Sequence, residues 1–231
     1  MPLLLASLFL LFAQSTAPAR PTGIYYLVFL RPDPARKPIS KEEGERIQAA
    51  HMANIMASAE RGVLVAAGPF DDKPTTISGI FVFRAPSLAE ARRMAMEDPT
   101  VVEHRNLVDV HAWQGPAGIG DEYFRLHKEK PDTPEGMGVQ PLFLVRRGPA
   151  RAERDRVWAA HLEYVEKLRL GGKVAMAGAT VDDDALAGMV VFERMPDDEA
   201  QRLMAEDPAV KAKVLETEFH RWWCAEHVFP R

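Results

Sequence analysis

Short apolar runs alternate with amphipathic stretches along this chain, and the series plays out twice. Tyr25-Tyr26-Leu27-Val28-Phe29-Leu30 is aromatic and β-branched, which predicts a strand. Pro32, Pro34 and Pro38 end it. Ser40, with Glu43 three residues on, forms a capping-box start for a helix reaching about Arg61. Ile47, Ala50, His51, Asn54, Ile55 and Ser58 keep helical spacing, so His51 falls beside the apolar face, and Gly62 stops the helix. Val63 to Ala67 and Gly79 to Phe83 predict two more strands, separated by Gly68-Pro69 and a polar loop from Phe70 to Ser78. Ser87 and Glu90 open a second helix that ends before Asp98-Pro99, because proline disfavours helical geometry in the residue before it. Leu107 to Trp113 predicts a fourth strand. The order β-α-β-β-α-β is the ferredoxin-like arrangement, an antiparallel sheet with two helices on one face.

The second half repeats the pattern. Leu142 to Val145 predicts a strand, and Ala152 to Leu170 a helix with Val157, Ala160, His161, Tyr164 and Leu168 along one side. Strands follow at Val174 to Ala177 and Met189 to Phe192, then a helix from Asp197 to Ala205 and a last strand from Glu216 to Trp223. The residues correspond as well as the periodicity. His51 and Gly68 match His161 and Gly178, 17 positions apart in both copies. Glu97-Asp98-Pro99 matches Glu206-Asp207-Pro208, and Asp109-Val110-His111-Ala112-Trp113 matches Glu218-Phe219-His220-Arg221-Trp222. A period of about 110 is too long for a solenoid unit, so one domain is duplicated in tandem. The copies span 24–115 and 140–231, joined by a Pro- and Gly-rich linker at 116–139 that Tyr123, Phe124 and Leu126 pin to a domain surface; His127 within it reads as a solvated side chain. Each sheet would leave one face bare, which must be covered. The prediction is an α+β protein whose two sheets pack face to face as an intramolecular pseudo-dimer, open to further homo-oligomerisation.

Net charge is -4 and no Lys/Arg run occurs, which argues against nucleic acid as a partner. Cys224 is the sole cysteine, so no intrachain disulfide forms, and a buried, inert thiol is expected. His220-x3-Cys224-x2-His227 matches no usual zinc spacing, and no metal site is predicted. Residues 1–20 hold an apolar run without charge, then small residues, then Arg20. The run is short for a membrane span and predicts a signal peptide, a periplasmic or secreted protein, and no stable membrane association after cleavage; an uncleaved anchor is the rival.

The helix His with the Gly 17 residues later, the acidic loops Asp71-Asp72 and Asp182-Asp183-Asp184, the Asp-Pro after the second helix and the closing Trp occur in order, twice. This set resembles the YciI-like (YCII-related) family. The resemblance implies a dimeric α/β-barrel fold and a site pairing the helix His with a nearby Asp. It also implies that no cofactor is needed, and that substrates include hydroxylated, chlorinated aromatics. The second copy departs from the family in having Gly178-Ala179 where Gly68-Pro69 stands in the first.

Histidine is the side chain suited to proton transfer near neutral pH, and an Asp bonded to one ring nitrogen raises basicity at the other. His51 with Asp72, and His161 with Asp182, are 21 positions apart in both copies and are the expected acid–base pairs. Asp71, Gly68 and Gly178 would help bind substrate. Alternation puts His111 and His220 on the Trp face of their strands, where they could line the same pocket between the sheets. The expected function is an exported, lyase- or hydrolase-type enzyme using His/Asp acid–base chemistry on a small polar or phenolic molecule. A non-catalytic small-molecule-binding module and a purely structural pseudo-dimer are the alternatives.

Overall fold

The computed structural model describes residues 20–72, 76–132, 136–181 and 185–230. The predicted leader at 1–19, Asp182 and its two acidic neighbours lie outside these residues. The first repeat contains β1 (Thr22–Pro32), α1 (Lys41–Glu60), β2 (Leu64–Pro69), β3 (Gly79–Phe83), α2 (Leu88–Met96), the short α3 (Pro99–Val102) and β4 (Asn106–Pro116). The second contains β5 (Met137–Arg147), α5 (Arg154–Leu170), β6 (Val174–Thr180), β7 (Leu186–Phe192), α6 (Asp197–Ala205), α7 (Pro208–Lys211) and β8 (Leu215–Ala225). Between them, α4 (Asp121–Glu129) turns part of the expected linker into a helix. None of the described helices is long and apolar enough to cross a membrane.

The caps form as the sequence predicts. Ser40 accepts a hydrogen bond from the Glu43 backbone and Ser87 one from Glu90. The Glu43 and Glu90 carboxylates pair with Arg46 and Arg93 rather than reaching back, so each cap is one-sided.

Eight strands form one sheet in the order β2-β3-β1-β4-β6-β7-β5-β8. Two seams join the repeats. At one, Trp113 on β4 pairs with Thr180 on β6, and the Val181 amide donates to the Ala112 carbonyl at 3.0 Å. At the other, Phe70 bridges Trp222, and the Asp71 amide donates to the Arg221 carbonyl at 2.7 Å. The four residues of one seam are the repeat equivalents of the four at the other, so the sheet closes into a barrel with internal two-fold symmetry. The faces meet as predicted, but the edges are also hydrogen-bonded.

Alternation divides the barrel wall. Tyr25, Leu27, Phe29 and Trp113 meet Leu142, Leu144, Met189 and Trp222 in a single interior cluster drawn from both copies. The intervening residues face outward: Val28, Phe81 and Val110 under α1 and α2, and Phe143, Val190 and Phe192 in the second repeat. Gly68 and Gly178 are required by the seams. A Cβ at Gly68 would lie 1.9 Å from the Trp223 carbonyl oxygen, and one at Gly178 would lie 2.2 Å from that of Gln114. Such contacts demand backbone movement, so only glycine fits.

Candidate functional site

The residue before α3 carries the site. Asp98 caps that helix, its carboxylate accepting from the Thr100 amide at 2.9 Å and the Thr100 hydroxyl at 2.5 Å. The same fully buried carboxylate takes the Nδ1–H of His51 at 2.8 Å and the Asn54 amide at 3.1 Å. His51 and Asn54 are three residues apart on one face of α1, which is why both reach one acid. Burial pushes the Asp98 carboxyl up, but the hydrogen bonds from His51 and Thr100, with the His51 charge, outweigh it and hold the group below the usual carboxylate range. An ionised carboxylate only accepts, so Nδ1 carries the proton that faces Asp98, and whenever the ring is uncharged its lone pair is at Nε2.

His51 lines a cleft of about 890 Å³ between α1 and the outer face of β2 and β3. Phe81 lies nearly parallel to its ring at 5.8 Å. The far wall comes from the other repeat and the connector: Met137, Trp223, Ala225, Tyr123 and His127. His127 is therefore a lining residue rather than a solvated one. Its ring packs on Tyr123 at 4.0 Å, and its Nδ1 lies 2.9 Å from the Tyr123 carbonyl.

The second repeat holds the equivalent pair. His161 Nδ1 donates to Asp207 at 2.7 Å, and Asp207 caps α7 through the Ala209 amide at 2.8 Å. His161 lines a smaller cleft of about 460 Å³, with Trp158, Arg20, Thr22 and Pro116 among its walls.

Several expectations need correction. His51 is oriented by Asp98, not Asp72, and His161 by Asp207; Asp182 lies outside the described residues. Asp72 crosses the seam instead, accepting from His220 Nδ1 at 3.0 Å and from the Arg221 amide at 3.1 Å. Asp71 is exposed, its carboxylate 3.8 Å from the Arg221 guanidinium, outside the cleft. His111 and His220 do not share the cleft of His51. They point to the barrel interior, His111 beside Phe29 and His220 stacked on Phe70 at 4.2 Å. The space between the sheets is filled by packed side chains, so the clefts open on the helix side of the wall. Gly68 and Gly178 do line the two clefts, but the seams demand them.

The interior histidines belong to two related ion chains. Arg31, Asp109 and His111 line up in the first repeat, with Arg146, Glu218 and His220 in the second. The hydrogen bond to His111, ahead of Arg31, holds the Asp109 carboxyl below its usual range. Burial pushes Glu218 up, but Arg146 and His220 bring it below.

A closed barrel of two ferredoxin-like repeats with a His paired to a buried Asp behind each wall defines the class: a dimeric α/β-barrel protein folded from one chain. The YCII-related domain matches residues 24–113 and again 122–222, and the chain belongs to that family. Comparison with curated proteins returns no match. Among solved structures, a chlorite dismutase variant from Candidatus Nitrospira defluvii shares the fold at 10% identity and a TM-score of 0.55, over 87% of this chain and 91% of that one. A heme-binding protein from Thermus thermophilus matches at 17% identity and a TM-score of 0.46, over 89% and 93%. A putative monooxygenase from Lactobacillus acidophilus matches at 13% and 0.44, over 86% and 92%.

Proposed function

We propose that the cleft of the first repeat is the active site of a cofactor-independent acid–base enzyme acting on a small polar or phenolic molecule. The observation that carries this reading is the orientation of His51. Its Nδ1–H is given to a buried, ionised carboxylate, and the ring lines the cleft, leaving Nε2 to take a proton from a bound molecule. Asp98 then stabilises the imidazolium, and the same nitrogen returns the proton to another atom of the substrate. Family membership and the apolar walls support a substrate with a hydrophobic ring. The apolar leader supports export, so the reaction belongs in the periplasm or outside the cell; a reporter fusion active only after export tests that placement.

The enzyme itself is tested by turnover of phenols, hydroxyquinols, lactones and organic acids by the full chain and its His51→Gln variant. Loss of about 10²- to 10⁴-fold in kcat with affinity retained is expected. Full turnover in His51→Gln would sink the assignment.

A further inference from the structure

The two clefts are related by the internal repeat but have become chemically different. Around Asp98, Asn54 and Thr100 donate to the carboxylate, Asn106 donates to the Thr100 hydroxyl at 2.9 Å, and Ser78 donates to Asn106 at 3.3 Å. The equivalent positions in the second repeat are Tyr164, Ala209, Leu215 and Ala187. Tyr164 turns away to the Leu203 carbonyl, and the other three cannot continue a polar chain. The second cleft has about half the volume, and Arg20 sits in it beside Arg169 and Glu166, whose charges act on its partly buried guanidinium.

Charge separates the clefts further. At the Ser78 and Asn106 end of the first cleft stand Arg36 and Arg105. Arg105 donates to the Lys37 backbone carbonyl at 2.5 Å, which brings its guanidinium to the loop carrying Arg36. Asp33, the nearest acid in that loop, accepts from the Ala35 amide. Among the described residues no carboxylate pairs with Arg36 or Arg105, whereas Arg46, Arg84, Arg93, Arg125 and Arg194 each hold one. The position of Arg105 is Val214 in the second repeat, and it is buried. The opposite end of the first cleft is apolar and aromatic, with Tyr123, Met137 and a half-exposed Trp223.

We infer that the first cleft alone takes ligand, and that the ligand is an organic carboxylate whose hydrophobic ring lies along Trp223, Met137 and Met52 while its carboxylate is held by Arg36 and Arg105. Guanidinium groups match a carboxylate in shape and charge, and methionine walls adapt to a ring. Binding would place the ring beside His51. The inference rests on the first cleft as the site, but it is read without turnover, so the two readings fail separately.

The experiment is calorimetric titration of the full chain with 2-naphthoate and with the uncharged 2-naphthalenemethanol. One naphthoate per chain is expected, bound about tenfold or more tightly than the alcohol, as one or two charge-assisted hydrogen bonds allow. Arg36 is exposed and unpaired, so Arg36→Gln should leave the fold intact and erase most of that preference. Met52 and Leu162 are equivalent, partly exposed positions in the two clefts. Met52→Glu should abolish binding, and Leu162→Glu should leave it unchanged. Equal affinity for acid and alcohol, a preference that survives in Arg36→Gln, no binding of either probe, or binding lost only in Leu162→Glu would each overturn the inference. Selective binding with no turnover of any acid would uphold it while removing the acid–base reading.

Discussion

Asp72, in the first repeat, accepts the Nδ1–H of His220 on the last strand of the second, 148 positions later, at 3.0 Å. The bond sits at the seam, with the Phe70 ring stacked against the imidazole and Glu218 3.2 Å from its Nε2. It ties the two copies by side chains where the backbone pairing is thinnest. Asp72→Ala should leave the buried His220 with one fewer acceptor and cost about 1–3 kcal/mol in urea unfolding. No change would mean that the seam is held by its backbone bonds alone.

Gly68→Ala should be far more damaging than its size suggests. The added carbon meets a backbone oxygen at 1.9 Å, so the seam must open. A loss of about 3 kcal/mol is expected, as for an overpacked core, with Gly178→Ala behaving alike. A neutral result in denaturant titration would refute the seam explanation for both glycines.

Asp98 sets a pH dependence. Its folded pKa lies below the ordinary carboxylate value of about 3.9. Its contribution is therefore fully present above that value and is lost as pH falls through the lower folded one. The stability gap between the wild type and Asp98→Asn should be wide at pH 7 and narrow as the solution is acidified towards pH 2. A gap that widens in acid would reverse the sign and dismiss the hydrogen-bonded carboxylate as its source.

Cys224 is 1% exposed in the barrel interior, and burial pushes its thiol up. Thiolate is the reactive form. Labelling by a disulfide reagent should be negligible in the native protein at pH 8 and complete in denaturant. Fast native labelling would show that the interior opens.

The element order and the duplication were legible because caps, proline stops and hydrophobic periodicity are local. Ser40, Ser87 and Pro99 each act within a few residues. The barrel was implied by the family resemblance alone; no local pattern signals its closure, since that depends on which loop crosses which edge. Asp71-Asp72 has a repeated spacing that suggests a partner for His51, yet that loop crosses to the last strand of the second repeat, where Asp72 takes the interior His220 instead. The true partner had a signal of its own: Asp98 and Asp207 stand in a repeated Glu-Asp-Pro, 47 and 46 positions after their histidines. Taken locally, that motif signals only a helix stop. An Asp that caps a buried turn needs further donors, and the helix histidine was available. The site's place behind the wall leaves no mark in the alternation, because the size of the interior side chains decides whether a pocket remains inside.

The fused barrel also changes what a single substitution can do. In a symmetric homodimer one codon writes the same residue into both sites, and any change that suits one is imposed on its twin. Here the codon for Thr100 and the codon for Ala209 are separate, so one half could keep its polar chain while the other filled with alanine and leucine. Yet the halves are not independent tenants. Trp223 belongs to the second copy and stands in the wall of the first copy's cleft, so the altered half is still obliged to furnish its neighbour's room.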